Sequence, residues 1–258
     1  MTPYFEIKLG KLYHGDCLEI MPELGSVDLV LTSPPYNLGN FKKGTWYGGK
    51  GKGKRLEYES HSDDMDEKDY IEWQHEILKQ CRLILSKNGA IFYNHKPRVN
   101  GGIFDDRKNL IPFPIRQEII WDRCGMINFS GGFYAPNTER IFIIANKLWK
   151  PVHKYLKFGE VWRFPPDKNT KHPAPFPSQL ANQVIISASQ EGDTVLDPFN
   201  GSGTTSTQSE ILNRKWIGIE ISEKYCEIAA KRIEENLTVM ERIERSEKGI
   251  TKKTGLLF

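Results

Sequence analysis

The sequence predicts an α/β fold: a mostly parallel sheet, with a strand pair that closes it antiparallel. Three observations carry this. Val27 to Thr32, Ala90 to Asn94 and Thr194 to Leu196 are short, nearly continuous apolar runs, the pattern of strands buried on both faces. Between the first two lies a long amphipathic pattern, which makes a right-handed β-α-β step. After the third, a glycine turn leads into the helix-compatible segment Thr204 to Asn213. Strand, glycine turn and helix in that order bring backbone close to a ligand at the carboxyl edge of a sheet.

Taken in order, Lys11 to His14 reads as a short strand closed by Gly15-Asp16, and Cys17 to Leu24 as a brief helical link. Val27 to Thr32 follows, so both strands end at the same edge, and the second runs into Thr32-Ser33-Pro34-Pro35-Tyr36-Asn37. Gly39 to Arg55 is glycine-rich and basic, with Lys42, Lys43, Lys50, Lys52, Lys54 and Arg55 and no acid. Such a segment reads as a mobile loop suited to a polyanion, or as a solvated lysine run. Asp66 to Asn88 is the clearest helix, capped by Asp66 and stopped by Gly89, with Tyr70, Trp73, Ile77, Cys81, Ile84 and Leu85 on its apolar face.

Phe104 to Pro114 is a polar, proline-punctuated link, and Ile115 to Asp122 with Arg140 to Ala145 form the hairpin. Gly125 to Asn137, between them, carries glycines and aromatics and is expected to face the substrate side. Lys147 to Lys171 has no clean period and is basic, Arg163 included. His172 to Pro177 is a proline-rich lead into a helix from Ser178 to Ser187. Trp216 to Ile219 is a strand ending in Glu220, at the spacing from Asp197 that presents a carboxylate to a ribose diol. Ser206 stands where a dinucleotide fingerprint has its third glycine, which argues against a pyrophosphate cofactor. Ser222 then caps a long helix toward Arg245, with Tyr225, Ile228, Ala229, Ile233 and Leu237 inward.

A chain of 258 residues suits one α/β domain spanning residues 1–258, with insertions at 39–60 (the basic loop) and 147–171. A net charge of +3 says less than where the lysines sit. The cysteines Cys17, Cys81, Cys124 and Cys226 are scattered, so neither a zinc site nor a disulfide framework is expected, and a reducing cytoplasm is the default. No apolar run resembles a signal peptide or a membrane span.

Two stretches together are specific. Asp197-Pro198-Phe199-Asn200-Gly201-Ser202-Gly203-Thr204-Thr205 and Thr32-Ser33-Pro34-Pro35-Tyr36 resemble the cofactor and catalytic motifs of the amino-methylating DNA methyltransferases. The catalytic motif comes first, as in the permuted beta group of that family, and the resemblance runs from Lys11 to Arg232. It implies a Rossmann-like, S-adenosylmethionine-dependent methyltransferase fold acting on an exocyclic amine of a base flipped out of double-stranded DNA. A restriction-modification setting would add a cognate endonuclease; monomer and homodimer both stay open. Carried onto this chain, the catalytic residues are Ser33, Pro34, Pro35 and Tyr36. The cofactor would meet Asp197, Phe199, Asn200, Gly201, Ser202, Gly203 and Thr204, with Glu220 on its ribose and Phe176 and Ser178 on its flank. Asp16 would accept from its adenine amine; a helix N-cap is the equal alternative. Residues 147–171 would be a short target-recognition insert sharing its task with the basic loop, and Arg163 would join the lysines on DNA.

The chemistry asks for these residue types. An exocyclic amine is a poor nucleophile, because its lone pair is delocalised into the ring. Acceptors aimed at its hydrogens make the nitrogen more sp³-like, and Ser33 Oγ with a proline carbonyl held rigid by consecutive prolines would serve. Tyr36 would stack on the flipped base, giving back roughly 1–3 kcal/mol of the flipping cost. Neither a metal nor a covalent intermediate is required. Serine before Pro-Pro-Tyr goes mostly with N4 of cytosine in the resembled family, with N6 of adenine as the rival. An RNA or protein-amide methyltransferase is disfavoured by the motif order. A non-catalytic nucleic-acid-binding module would be told apart by its failure to bind S-adenosylmethionine.

Overall fold

A computed structural model describes residues 1–37, 65–100, 102–125, 134, 136–152, 159–165, 167 and 176–237. Strands β1 (Phe5–Glu6) and β2 (Gly10–His14) precede helix α1 (Cys17–Ile20) and β3 (Val27–Thr32). Helix α2 (Glu67–Ile84) leads directly into β4 (Leu85–His95). A small hairpin, β5 (Arg98–Asn100) and β6 (Ile103–Asp105), is followed by β7 (Gln117–Asp122), β8 (Thr138–Ala145) and β9 (Val161–Arg163). Then come α3 (Ser178–Ala188), β10 (Thr194–Asp197), α4 (Thr204–Ile211) and β11 (Lys215–Glu220), and a last helix, α5, occupies 223–237.

Among the described residues one sheet runs in the order β1-β2-β11-β10-β3-β4-β8-β7-β9. Strands β2, β11, β10, β3 and β4 are mutually parallel, and β8 returns antiparallel to both β4 and β7, the antiparallel pair that the sequence predicts, with β9 outside it at the edge. All five parallel strands therefore end on one edge, and the order reverses between β10 and β3. Crevices at such a switch point are where open α/β sheets bind ligands. The apolar run of β3 is explained by its neighbours: Val30 joins Tyr70, Ile77 and Ile91 on one face, while Leu29 and Leu31 join Val184 and Val195 on the other. A third cluster packs α5 through Cys226, Ala229 and Ile233 against Leu12 and Trp216.

Among the differences from the sequence reading, two concern the end of α2 and the added strand β9. Helix α2 starts as expected, with Asp66 accepting from Lys68 N at 2.9 Å, but it stops at Ile84 rather than Asn88. Leu85 pairs with Val27 of β3, and at Gly89 a Cβ would lie 2.8 Å from the Asp28 carbonyl oxygen. The ladder claims these residues because Ser86, Asn88 and Gly89 contribute little to a helix. The second difference is β9, which adds to the sheet parallel to β7 through Trp121 and Trp162; three residues are too few to show a period. Within α5 the buried face is Cys226, Ala229 and Ile233, with Tyr225 and Ile228 only half-buried.

Candidate active site

The glycine loop leaves the end of β10 beside β11, where Asp197 pairs with Gly218. Gly201 (φ 51°) and Gly203 (φ 80°) both take the left-handed conformation that favours glycine. Asp197 is buried and accepts from Phe199 N at 3.1 Å and from the Thr205 hydroxyl at 2.7 Å. Its carboxylate is thereby spent on the shape of the loop. Asn200 is likewise turned inward: its Oδ1 accepts from Ser206 Oγ, and its side chain fills the space above Gly218, where a Cβ would come within 2.6 Å. Ser206, in the third-glycine position, is thus a tie that fixes Asn200 over β11.

Glu220 ends β11 and turns its carboxylate back on the loop, accepting from Gly201 N at 2.8 Å and Ser222 N at 2.9 Å. A carboxylate offers about four acceptor directions, so two backbone donors leave room for a diol. Phe199 is half-buried and meets Trp73 of α2 edge-on at 5.6 Å. Trp73, a core residue by its spacing, is therefore also part of the wall beside the glycine loop.

Burial pushes the Asp197 carboxyl up from its ordinary value of 3.8 to about 6. Between about pH 4 and 6 the folded protein keeps a proton on Asp197 that the unfolded chain has released, so this group's contribution to stability falls as pH rises. Above the window the charged carboxylate costs about 3 kcal/mol, at about 1.36 kcal/mol per pKa unit. The difference in Tm between Asp197→Asn and the natural protein is accordingly expected to move by several degrees in favour of the variant from pH 4 to pH 7. Thermal melts across that range check it, and a pH-independent difference would refute it.

The second motif leaves the end of β3. Register places Thr32 beside Tyr93 of β4, and so Ser33 beside Asn94. The Asn94 amide donates to Ser33 Oγ (3.2 Å), Tyr36 Oη (2.7 Å) and Glu139 Oε2 (2.9 Å). Tyr36 Oη donates to Glu139 Oε2 at 2.9 Å and lies 2.9 Å from Ser33 Oγ. Glu139, at the start of β8 and 3% exposed, is ion-paired through Oε1 to Arg123 at 2.6 Å. A phenol has one proton. With that proton on Glu139, the Ser33–Tyr36 contact is made by the serine proton, and with Asn94 on one lone pair of Ser33 Oγ the other stays available to a further donor.

The two prolines are not equivalent. Tyr70 of α2 donates to the Pro35 carbonyl at 2.6 Å, so Pro35 is tied to the helix. His95 Nε2 lies 2.9 Å from the same hydroxyl, and its ring packs against Tyr36 at 4.6 Å. Burial, with the Arg107 cation nearby, depresses the His95 imidazole to about 3, so it is a neutral wall rather than an acid. Asn37 closes the motif in the left-handed region (φ 54°), donating to the Met65 carbonyl at 2.9 Å.

Glycine loop and proline motif stand side by side on one sheet edge, which is the arrangement of a group-transfer crevice. A family of DNA methylases of the N6/N4 type matches residues 27–231. The chain belongs to that family. The type II methyltransferase M.BglII of Bacillus subtilis is 27% identical, the match covering 86% of this chain and 68% of that protein. The DNA adenine methyltransferase YhdJ of Escherichia coli (strain K12) is also 27% identical, over 86% of this chain and 82% of its own. Among solved structures, the PvuII cytosine-N4-specific DNA methyltransferase superposes with a TM-score of 0.69 at 18% identity, covering 93% of this chain and 94% of its own. An M1.HpyAVI–SAM complex superposes at 0.59 with 26% identity, over 86% of this chain and 99% of that one. The fold is that of the S-adenosylmethionine-dependent DNA methyltransferases, with an antiparallel hairpin in a mostly parallel sheet.

Within this methylase the remaining site residues fall as follows. Asp16 is the N-cap of α1, accepting from Leu18 N at 2.8 Å. Ser178 donates to Asp167 at 2.6 Å, and Phe176 packs edge-on against Trp121 at 5.9 Å. Arg163 is exposed at the end of β9 and pairs with Asp122 at 3.2 Å. Lys42, Lys43, Lys50, Lys52, Lys54 and Arg55 lie outside the described residues, as do residues 39–60 as a whole and much of 126–135 and 153–175. Three residues of the candidate site escaped the sequence reading. Asn94 carried a signal, a polar residue ending an apolar strand at the ligand edge. Glu139 sits at the amino end of an antiparallel strand, where no such rule applies. Arg232 of α5 reaches back to bind Thr204 Oγ1 (2.8 Å), the Ser202 carbonyl (3.3 Å) and Ser178 Oγ (3.1 Å), which locks the loop to α3 and α5.

Proposed function

We propose that this methylase transfers a methyl group from S-adenosylmethionine to the N4 amine of a cytosine flipped out of double-stranded DNA. Membership of the family supports a DNA methyltransferase, and the M1.HpyAVI–SAM complex supports the donor. The observation that carries the reading is the Ser33 hydroxyl, held at the crevice by Asn94 and Tyr36 with one lone pair still available. When bound, the donor supplies a methyl group on a sulfonium. Glu220 would hold its ribose, the amides from Gly201 to Thr204 its amino-acid end, and Phe199 an apolar face. Ser33 Oγ and the Pro34 carbonyl would accept from the two amine hydrogens, since Tyr70 already holds the Pro35 carbonyl. Tyr36, with His95 behind it, would present a ring to the base.

Serine before Pro-Pro-Tyr goes mostly with cytosine in the resembled family, and its neutral hydroxyl, whose proton faces Tyr36, is a weaker acceptor than a carboxylate. Nucleoside digestion of DNA methylated by the protein, resolved by mass spectrometry, tests this. N4-methylcytosine is expected; N6-methyladenine without it would overturn the base assignment and leave the methylase reading standing. Among the described residues no helix is long and apolar enough to cross a membrane. A cytoplasmic enzyme acting beside a cognate endonuclease fits the restriction-modification relatives. The basic segment from Lys42 to Arg55, with Arg163, is the proposed DNA contact, and residues 147–171 the target-recognition insert of a single domain.

A further inference from the structure

Glu139 is a buried carboxylate for which methyl transfer from donor to base has so far no use, yet it closes a hydrogen-bonded chain that begins at the acceptor of the target amine. We propose that Glu139 takes the proton released by methylation, through Ser33 and Tyr36. The proposal rests on the methyltransferase reading above. The chain is continuous: Ser33 Oγ to Tyr36 Oη at 2.9 Å and Tyr36 Oη to Glu139 Oε2 at 2.9 Å. Asn94 braces all three members from β4, and Arg123 holds the opposite carboxylate oxygen at 2.6 Å, so the carboxylate cannot swing away.

The balance is as follows. The amine lone pair forms the N–CH₃ bond as the C–S bond breaks and its electron pair returns to sulfur, which loses its positive charge. The nitrogen now carries that charge and sheds one proton to Ser33 Oγ. The serine proton passes to Tyr36 Oη and the tyrosine proton to Glu139 Oε2. The products are a neutral methylated amine and a neutral carboxylic acid, which later releases its proton to solvent. A methylated exocyclic ammonium is a strong acid, so a carboxylate at the end of a preformed chain outcompetes crevice water. The charged groups facing Glu139 are Arg123 beyond β7 and Lys96 beyond β4. His95, packed on Tyr36, stays neutral across an assay range above pH 4.

The experiment compares the natural protein with Glu139→Gln, Tyr36→Phe and the double variant, on a duplex carrying the recognition sequence established by sequencing. Four readouts are taken: single-turnover methyl transfer against pH, cofactor binding by calorimetry, duplex binding, and extrusion of a fluorescent base analogue at the target position. Each single variant is expected to slow transfer about 100-fold, the low end for a lost proton acceptor. The double variant should be no slower than either, because a chain broken once is broken. Glu139→Gln should also lose the acid limb of the pH profile, while binding and extrusion stay within about twofold of the natural protein. Natural-rate transfer in either variant, or an unchanged acid limb in Glu139→Gln, overturns the proposal. So does loss of binding or extrusion in step with rate, which would make Glu139 a structural brace. If Glu139→Gln does not fold, Tyr36→Phe decides, since it removes a single hydroxyl and keeps the ring. If the natural protein methylates no DNA amine, the functional reading fails first; transfer that is indifferent to Glu139 sinks this inference alone.

Discussion

Ser33→Ala is expected to lower single-turnover methyl transfer by about 10²–10³, the cost of removing one preorganised hydrogen-bonding group from a transition state. Cofactor affinity should stay within about twofold, because Ser33 contacts Tyr36 and Asn94 rather than the glycine loop. The structure adds to the acceptor role that the sequence implies, because the hydroxyl also meets Tyr36 and Asn94. Alanine also leaves Tyr36 Oη and the Asn94 amide one partner short, a loss of about 1 kcal/mol of stability. Calorimetry with the cofactor and rapid-quench kinetics on the same preparation separate the two effects. A parallel loss of cofactor binding would show that Ser33 shapes the donor site, and the acceptor role would fall.

Gly203→Val is expected to destabilise the fold by about 3–5 kcal/mol, adding left-handed strain for a β-branched residue to overpacking. The cofactor contact that the resemblance implies for Gly203 would set this side chain against the cofactor. The structure places it elsewhere: a Cβ at Gly203 would lie 2.9 Å from the Ala229 Cβ and 3.2 Å from its Cα, with φ at 80°. The collision is with α5, so a fall in Tm of about 10 °C precedes any effect on ligand. Ala229→Gly relieves the contact but not the strain. In a double-mutant cycle the pair should therefore be less destabilised than the sum of the singles. A Gly203→Val protein with the natural Tm and weakened cofactor binding would restore the ligand reading.

Patterns set by near neighbours in sequence were legible without coordinates. The apolar runs of β3, β10 and β11 specify strands buried on both faces, because an uninterrupted run has no polar side to give to water. The cap Asp66 could be read because a side-chain acceptor reaches only its own first turn, whereas Asp16 stood evenly between a cap and a cofactor contact until the structure showed the cap. Glu220 could be read because strand, loop and strand fix where the second strand ends.

Other roles depended on residues distant in sequence. Asp197 and Asn200 belong to the cofactor motif, yet their side chains are spent on Thr205 and Ser206, so motif membership did not separate loop-builders from ligand contacts. The end of α2 was decided by Leu85 pairing with Val27. The proton chain needs β4 to lay Asn94 beside Ser33 and β8 to return Glu139 to Tyr36, which is 103 residues away in the chain. No local rule reaches across that separation. Most of the central strands, the Asp66 cap and the two motifs follow from the sequence, since each is satisfied within a few residues, whereas β1, β9 and the β5–β6 hairpin do not. The tertiary structure alone decided which motif atoms were left free for chemistry, because that depends on which of them the rest of the fold had already bound.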